Sequence, residues 1–178
     1  MTQQLTTLFL SAFVTFLVVI DPPGCAPIFA SLTSGTSAAH RRSMAIKSTM
    51  IAGAVLLFFS LFGEKLLDVL GISLAAFRIA GGIMLFLIAI DMVFEKRTQR
   101  REERAEEISK RAAEEQRSLE AEDISVFPMG IPMIAGPGSI ASVMLLMART
   151  DGLDRSLVVL SALAAQFVID GIAVSFQV

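Results

Sequence analysis

The chain has 178 residues, of which 54% are hydrophobic, and its mean hydropathy is +0.68. Its 15 basic and 17 acidic residues give a net charge of −2, and 18 of them lie in the stretch 95–123. The remainder is nearly free of charge, which excludes a soluble globular domain, and no basic patch predicts nucleic-acid binding. The composition therefore predicts an all-α integral membrane protein in contact with the lipid bilayer.

Five apolar segments are predicted to be membrane helices, since a helix needs about 20 apolar residues to cross a bilayer. The first, 5–32, and the fourth, 124–148, are each interrupted by prolines and glycines. The other three are continuous and cover 44–62, 72–94 and 156–176.

The interruptions form two helix breaks in corresponding parts of the chain. The first break is Asp21-Pro22-Pro23-Gly24-Cys25-Ala26-Pro27; the second is Pro128-Met129-Gly130-Ile131-Pro132, followed by Ala135-Gly136-Pro137-Gly138-Ser139. In lipid, backbone groups released from a helix must be satisfied by protein or water, so breaks persist where they line a site. Paired broken helices are typical of transporter sites at mid-membrane. The alternative is a set of ordinary proline kinks, at Pro22, Pro27, Pro132 and Pro137.

The first break carries a carboxylate. Asp21 precedes Pro22, which predicts a helix N-cap followed by proline at the first helical position. An intramembrane carboxylate is also a functional candidate, because burying it in lipid is costly. Beside Gly24, Asp21 could hold a substrate ammonium or a coupling cation.

The second break opens a half-helix at Gly136. Its N–H groups at Gly138, Ser139 and Ile140 are expected to be free and to form a cradle for a carboxylate. An acidic group at one break and an anion cradle at the other predict a site for a zwitterion, such as an amino acid.

The other charged residues in or near the spans have structural interpretations. Arg78, the only basic residue well inside a span, either snorkels to the interface or pairs with Asp21 or Asp170. Asp91 is expected at the cytoplasmic interface. Three residues form a predicted outer interfacial cluster: Glu64, Lys65 and Asp68.

No motif predicts an enzyme. Metal-ligand spacing and a glycine-rich phosphate loop are both missing from the sequence, so we expect no metal, cofactor or catalytic residue. Asp91 and Asp170 could be imagined as an aspartyl pair, but neither has a supporting glycine-rich motif. Cys25 is expected to be a small buried hydrophobe, and Gly81 and Gly82 to allow close helix packing.

Basic residues predict the orientation. Arg41, Arg42 and Lys47 follow the first span, and eight Lys and Arg residues lie in 95–123, whereas the remaining loops hold few. Because positive residues stay cytoplasmic, we expect the N-terminus outside and the 95–123 stretch inside. That stretch has no proline or glycine and is predicted to be a solvated helix, either a spacer or a docking site.

Four blocks of the sequence resemble MarC-type membrane proteins. They are Asp21-Pro22-Pro23-Gly24-x-x-Pro27-Ile28-Phe29, Phe62-Gly63-Glu64-Lys65-Leu66-Leu67, Phe77-Arg78-Ile79-Ala80-Gly81-Gly82 and Ile131-Pro132-x-x-Ala135-Gly136-Pro137-Gly138. The resemblance covers nearly the whole chain. It implies a bacterial inner-membrane protein of six helices, built as two inverted three-helix repeats with broken first helices. Members are described as neutral amino-acid transporters or as proteins of unknown function.

The end of the chain departs from that pattern. The tail, Gln166-Phe167-x-x-Asp170-Gly171-Ile172, resembles the family's sixth helix but follows only one helix after Arg149. Pro22 and Pro132 are separated by 110 residues, whereas Asp91 and Asp170 are separated by 79. The second half is therefore expected to be short by about 31 residues, or one helix with its loop.

These features predict a single membrane domain, with a first repeat at 1–94, the charged stretch at 95–123 and a shortened second repeat at 124–178. We expect a transporter of small neutral amino acids or similar solutes, impaired if the short repeat cannot rock against the first. Formation of a homo-oligomer could supply the absent helix. The alternative is a non-transporting structural or regulatory membrane protein.

Overall fold

The computed structural model describes residues 2–33, 35–94, 103, 106, 124–148 and 152–176. Six helices are present in this part of the chain: α1 (Thr2–Ile20), α2 (Pro22–Leu32), α3 (Ala38–Val69), α4 (Leu74–Val93), α5 (Pro137–Met147) and α6 (Leu153–Phe176). An irregular segment, which we call the wide-turn segment (Ser125–Ile134), precedes α5. The predicted all-α architecture is confirmed.

Two helical stretches are long and apolar enough to cross a membrane: Gln3–Leu32, which joins α1 to α2, and α3. The wide-turn segment and α5 form a third candidate span if they are counted together, although they meet at an angle of 53°. Shorter apolar helices occupy Leu74–Ile90 and Ser156–Ile169. Each of the five predicted apolar segments thus contains a helix, although the first part of the fourth is the irregular wide-turn segment. The inverted relation of the two halves and the orientation remain predictions.

The first and last helices of the described chain, α1 and α6, pack against each other. One face of α1 is buried because Ala12, Phe16 and Ile20 recur at every fourth residue. This face belongs to the same buried cluster as Val159 and Ala162 of α6, and α3 packs against both helices of the second half. A second buried cluster joins α2, the start of α3 and the wide-turn segment; its members are Ile28, Phe29, Leu32, Met44, Ala45, Ile124 and Met129.

The fourth helix lies at the edge of the bundle and packs mainly on α5. Gly81 makes this contact close, because a Cβ added there would lie 3.0 Å from a methyl carbon of Leu145. Gly82 faces open space, so of the two predicted packing glycines only Gly81 has this role. Ile79 and Phe86 are exposed, as expected of a lipid-facing surface.

The third helix extends beyond the predicted 44–62 because local hydrogen bonds define its ends. Ser37 is the N-cap, and its Oγ accepts the His40 N–H at 3.3 Å. At the other end, Gly71 has a φ of 69°. The left-handed conformation allows the Ile72 N–H to donate to the Leu67 carbonyl at 2.9 Å. The three predicted interfacial residues are exposed in the last turns of α3: Glu64, Lys65 and Asp68.

The predicted helix in the 95–123 stretch falls outside the described residues, apart from Glu103 and Glu106, which are helical and exposed. Its role as a spacer or docking site therefore stays a prediction. Asp91 belongs to the last turn of α4, but its side chain is not among those described.

Candidate functional site at two helix breaks

The first break is a turn at a single residue, Asp21. Its backbone has φ 58° and ψ 65°, a left-handed conformation that Asp tolerates better than most residues. Asp21 is the N-cap of α2: Oδ1 accepts the Gly24 N–H at 3.2 Å, and its carbonyl accepts the Cys25 N–H at 3.0 Å. Pro22 follows at the first helical position. The predicted N-cap is present, and the carboxylate is half-buried.

The residues after Asp21 explain the rest of the motif. A Cβ at Gly24 would collide with the Asp21 carboxylate, so this cap requires glycine. Cys25 is buried, as expected, and its Sγ lies 3.5 Å from the Ile20 carbonyl oxygen. Pro27 was predicted as a break, but it lies inside α2, which continues to Leu32. A proline in the interior removes one helical hydrogen bond without ending the helix here.

The second break is built by the backbone of the wide-turn segment. Phe127 and Ile131 have extended conformations (φ −128°, ψ 132° and φ −134°, ψ 126°), and each precedes a proline through a cis peptide bond. The turns are closed by bonds between residues five apart, such as Ala135 N–H to the Gly130 carbonyl at 3.0 Å. Pro132 therefore lies within an irregular turn and does not begin a helix.

The second half-helix, α5, begins at Pro137 after Gly136, an N-cap without a side-chain hydrogen bond. Pro137, and not Pro132, is thus the positional counterpart of Pro22, and α2 and α5 both have 11 residues. A Cβ at Gly136 would lie 2.5 Å from the Pro132 carbonyl oxygen, so a side chain cannot be accommodated without backbone movement. The correspondence of Pro22 with Pro132 that the sequence predicted is therefore wrong, because the proline at the equivalent helix position is Pro137.

One of the predicted cradle donors is already used. The Ile140 N–H donates to the Gly136 carbonyl at 3.0 Å, so the prediction that it is free is wrong: the first full helical bond forms there. The Ser139 hydroxyl donates to the Ile134 carbonyl at 2.8 Å and is buried. The remaining predicted donors are the N–H groups of Gly138 and Ser139, both on buried residues.

Residues beside the two breaks are neighbours in the fold. A Cβ at Gly138 would lie 3.3 Å from Val19 Cγ1, two residues before Asp21. Ile20 and Ala135, which directly precede the two cap residues, belong to one buried cluster. The starts of α2 and α5 therefore lie near each other within the bundle.

This arrangement has a defined electrostatic character. The N-terminus of a helix carries a partial positive charge from its unpaired N–H groups. At α2 the Asp21 carboxylate caps these groups, whereas at α5 the cap residue Gly136 has no side chain. Within the described part of the chain, no group of three or more His, Cys, Asp or Glu could hold a metal ion.

Arg78 has a partner that sequence reasoning missed. Its Nη2 donates to the carbonyl of Ala148, the C-cap of α5, at 2.7 Å, and the residue is exposed. Cations stabilise helix C-termini, so Arg78 joins α4 to the end of α5. The proposed pairing with Asp170 stays a prediction because that side chain is outside the described residues.

Two further buried polar residues were not assigned a role. Gln166 is fully buried on α6, one turn after Ala162, and it belonged only to the tail motif in the sequence. Ser142 is buried on α5, and its hydroxyl has no hydrogen-bond partner among the described residues. The sequence could have indicated their burial, because polar side chains within apolar spans usually face the protein interior.

Comparison with known proteins agrees with the helical membrane architecture. The model of the "MarC family integral membrane protein" matches residues 6–177. A UPF0056 membrane protein of Archaeoglobus fulgidus is 39% identical over 155 residues, which cover 86% of this chain and 68% of the relative. The UPF0056 membrane protein YvbG of Bacillus subtilis is 37% identical over 153 residues, covering 86% and 69%.

A UPF0056 membrane protein of Methanocaldococcus jannaschii is 38% identical over 156 residues, covering 87% of this chain and 72% of the relative. No solved structure matches the chain. The helix breaks, the apolar spans and matches over almost the full length lead to one assignment: this chain belongs to the MarC family of integral membrane proteins.

Proposed function

We propose that this protein binds and transports small neutral amino acids, or similar zwitterionic solutes, between its two helix breaks. The observation that supports the proposal is the proximity of two half-helix starts, of which one is capped by a carboxylate and the other by glycine. Discontinuous helices that meet in this way provide anion and cation sites in membrane transporters.

The two ends of a zwitterion would have complementary partners. The start of α5, with the N–H groups of Gly138 and Ser139, would receive the substrate carboxylate. Asp21 would receive the ammonium, because hydrogen bonds between a carboxylate and an ammonium group are charge-assisted and strong. A coupling cation would use the same carboxylate. We further propose a location in the inner membrane with the N-terminus outside.

The alternative, a structural or regulatory membrane protein that does not transport, is favoured by a different observation. The Ser139 hydroxyl and the Ile140 N–H group both donate to main-chain carbonyls of the protein. Gly138 is buried against Ile88 and Val19. On this hypothesis both breaks serve only the packing of the bundle, and no solute binds at them.

Binding measurements with an Asp21→Asn variant separate the two hypotheses. Asn caps a helix about as well as Asp, so the fold is retained while the charge is lost. A charge-assisted hydrogen bond contributes about 1.5–3 kcal/mol, so alanine and glycine should bind roughly ten- to a hundredfold more weakly. Calorimetry on purified protein in detergent would measure this, with uptake into proteoliposomes as the test of transport.

Asp68→Asn provides the matched control, because Asp68 is an exposed carboxylate in the last turn of α3, away from the breaks. It should bind amino acids as the wild type does. Equal binding by wild type and Asp21→Asn would reduce Asp21 to a helix cap. An absence of binding by every form would favour the non-transporting alternative.

A further inference from the structure

A separate cavity lies between the end of α3, the start of α4, the end of α5 and the start of α6. We call it the α3–α6 cavity; its volume is about 310 Å³. Leu, Met and Phe side chains form most of its wall, and its polar lining residues are Ser60, Glu64 and Ser156. The residues proposed to bind a zwitterion do not line it, so it is distinct from the helix breaks.

The polar groups of this cavity act as acceptors. The Ser60 hydroxyl donates to the Leu57 carbonyl at 2.7 Å, and the Ser156 hydroxyl donates to the Gly152 carbonyl at 3.3 Å. With their protons used in this way, the two hydroxyls present only lone pairs to a ligand. An ionised Glu64 carboxylate also only accepts. The described lining of the cavity therefore offers acceptors and the negative charge of Glu64.

The apolar wall favours the same kind of ligand. Met144 and Met147 contribute flexible thioethers that adapt to an apolar body, and Phe59 contributes an aromatic ring, a group that can attract a cation. Met144 is held close to α3, because a Cβ at Gly63 would lie 2.8 Å from two of its side-chain carbons. This part of the wall is thus packed closely against α3.

Glu64 is the charged side chain of the described cavity lining. Two helices end at the cavity and two begin there, so their terminal partial charges oppose one another. Arg78 is not among the described lining residues, and its guanidinium is bonded to the Ala148 carbonyl. The Arg78 guanidinium thus lies beside the cavity wall at the end of α5, where it bonds a carbonyl of the lining, whereas Glu64 is part of the lining itself.

From these observations we propose that the α3–α6 cavity binds a compact organic cation, a protonated alkylamine or cycloalkylamine, with its ammonium at Glu64 and its apolar body against the methionine and leucine wall. This site does not depend on amino-acid transport. It would recognise an apolar cation and discriminate against an anion of the same size.

Three probes of matched shape test the proposal: cyclohexylammonium, cyclohexanol and cyclohexanecarboxylate. Because the probes differ mainly in charge, differences between their affinities measure the electrostatic preference of the cavity. The neutral probe, cyclohexanol, serves as the control for partitioning into detergent. Saturation-transfer NMR on the purified full chain in a non-ionic detergent would give affinities. We expect cyclohexylammonium to bind most tightly and cyclohexanecarboxylate most weakly.

Substitutions then locate the site. Glu64→Gln should weaken cyclohexylammonium about tenfold while leaving cyclohexanol unchanged, because only the charge-assisted bond is lost. Glu103→Gln is the matched control, because Glu103 is an exposed carboxylate that does not line the cavity, and it should leave all three affinities unchanged. Leu160→Trp, which places a larger side chain in the cavity wall, should weaken both the ammonium and the alcohol.

Two results would overturn the proposal. Equal affinities for the three probes, unaffected by Glu64→Gln, would mean an apolar cavity suited to a lipid chain. Unchanged ammonium binding in Leu160→Trp, with the variant eluting as a folded protein, would place the bound amine elsewhere.

Discussion

Both helix breaks are followed by an 11-residue helix, but different parts of the chain form the two turns. At the first, the chain turns at one residue, and the Asp21 side chain caps the next helix. At the second, ten residues of irregular backbone precede α5, and the turn ends at Gly136 without a side-chain cap. The first break is thus made mainly by a side chain and the second mainly by the main chain.

This difference predicts how each break tolerates substitution. The atoms that exclude a Cβ at Gly24 belong to the Asp21 side chain, which can adopt another rotamer. The atom that excludes a Cβ at Gly136 is a main-chain oxygen of Pro132, which moves only if the turn itself is rebuilt. We therefore expect the second break to be the more sensitive of the two.

The largest expected effect is that of Gly136→Ala. The added methyl group would meet the Pro132 oxygen at 2.5 Å, and relief requires a shift of buried backbone. Overpacking of this kind costs about 1–3 kcal/mol, and we expect the upper end of that range because the obstacle is main chain. The free energy of unfolding in detergent, measured with a denaturing co-detergent, would detect it.

Gly82→Ala is the control for this experiment, since a Cβ at Gly82 has open space around it. In a helix this change should be neutral or slightly stabilising, because Ala has the higher helix propensity. If Gly136→Ala were as stable as Gly82→Ala, the second break would be as adaptable as the first, and the comparison would fail.

A smaller loss is expected for Ser139→Ala. In the wild type the buried Ser139 hydroxyl donates to the Ile134 carbonyl at 2.8 Å, and the variant removes this donor. An unsatisfied buried polar group costs about 1–3 kcal/mol, and we expect about 2 kcal/mol here. Ser161→Ala removes a bond of the same length from an exposed site, Ser161 Oγ to the Val158 carbonyl, and should have little effect. Similar losses in both variants would show that burial at the second break is unimportant.

The smallest expected effect is that of Asp21→Asn at the first break, because Asn caps a helix about as well as Asp and also tolerates the left-handed conformation. Asp21→Ala should lose more than the ~1 kcal/mol of the cap, because Ala is also disfavoured at a φ of 58°. Thermal unfolding followed by circular dichroism would compare the three proteins. A large loss in Asp21→Asn would show that the charge, and not the cap, stabilises the first break.

Local features of the fold were predictable from the sequence. The Asp21 cap depends on Gly24, three residues away, and the helical segments follow from runs of apolar residues, two of which are interrupted by prolines and glycines. The proximity of the two breaks was also anticipated, since both irregular backbones need polar partners.

Features that depend on distant partners were not predictable. Arg78 and Ala148 are 70 residues apart in sequence, and nothing local indicates that the guanidinium binds that carbonyl. The use of the Ile140 N–H was missed because the helix start was assigned by motif and not by the position of its first bond. The same error paired Pro132 with Pro22, since prolines in an irregular turn and at a helix start look alike in sequence.

The pairing of α1 with α6 and of α4 with α5 has a consequence for biogenesis. Helices inserted early, α1 and α4, find their main partners only after later helices have been translated. The stretch that contains α1 is long and apolar enough to be stable in a bilayer before its partner arrives, and helix association follows as a second stage. The native packing of α1 is therefore complete only after α6 has been synthesised, and until then lipid has to cover the face of α1 that α6 later buries.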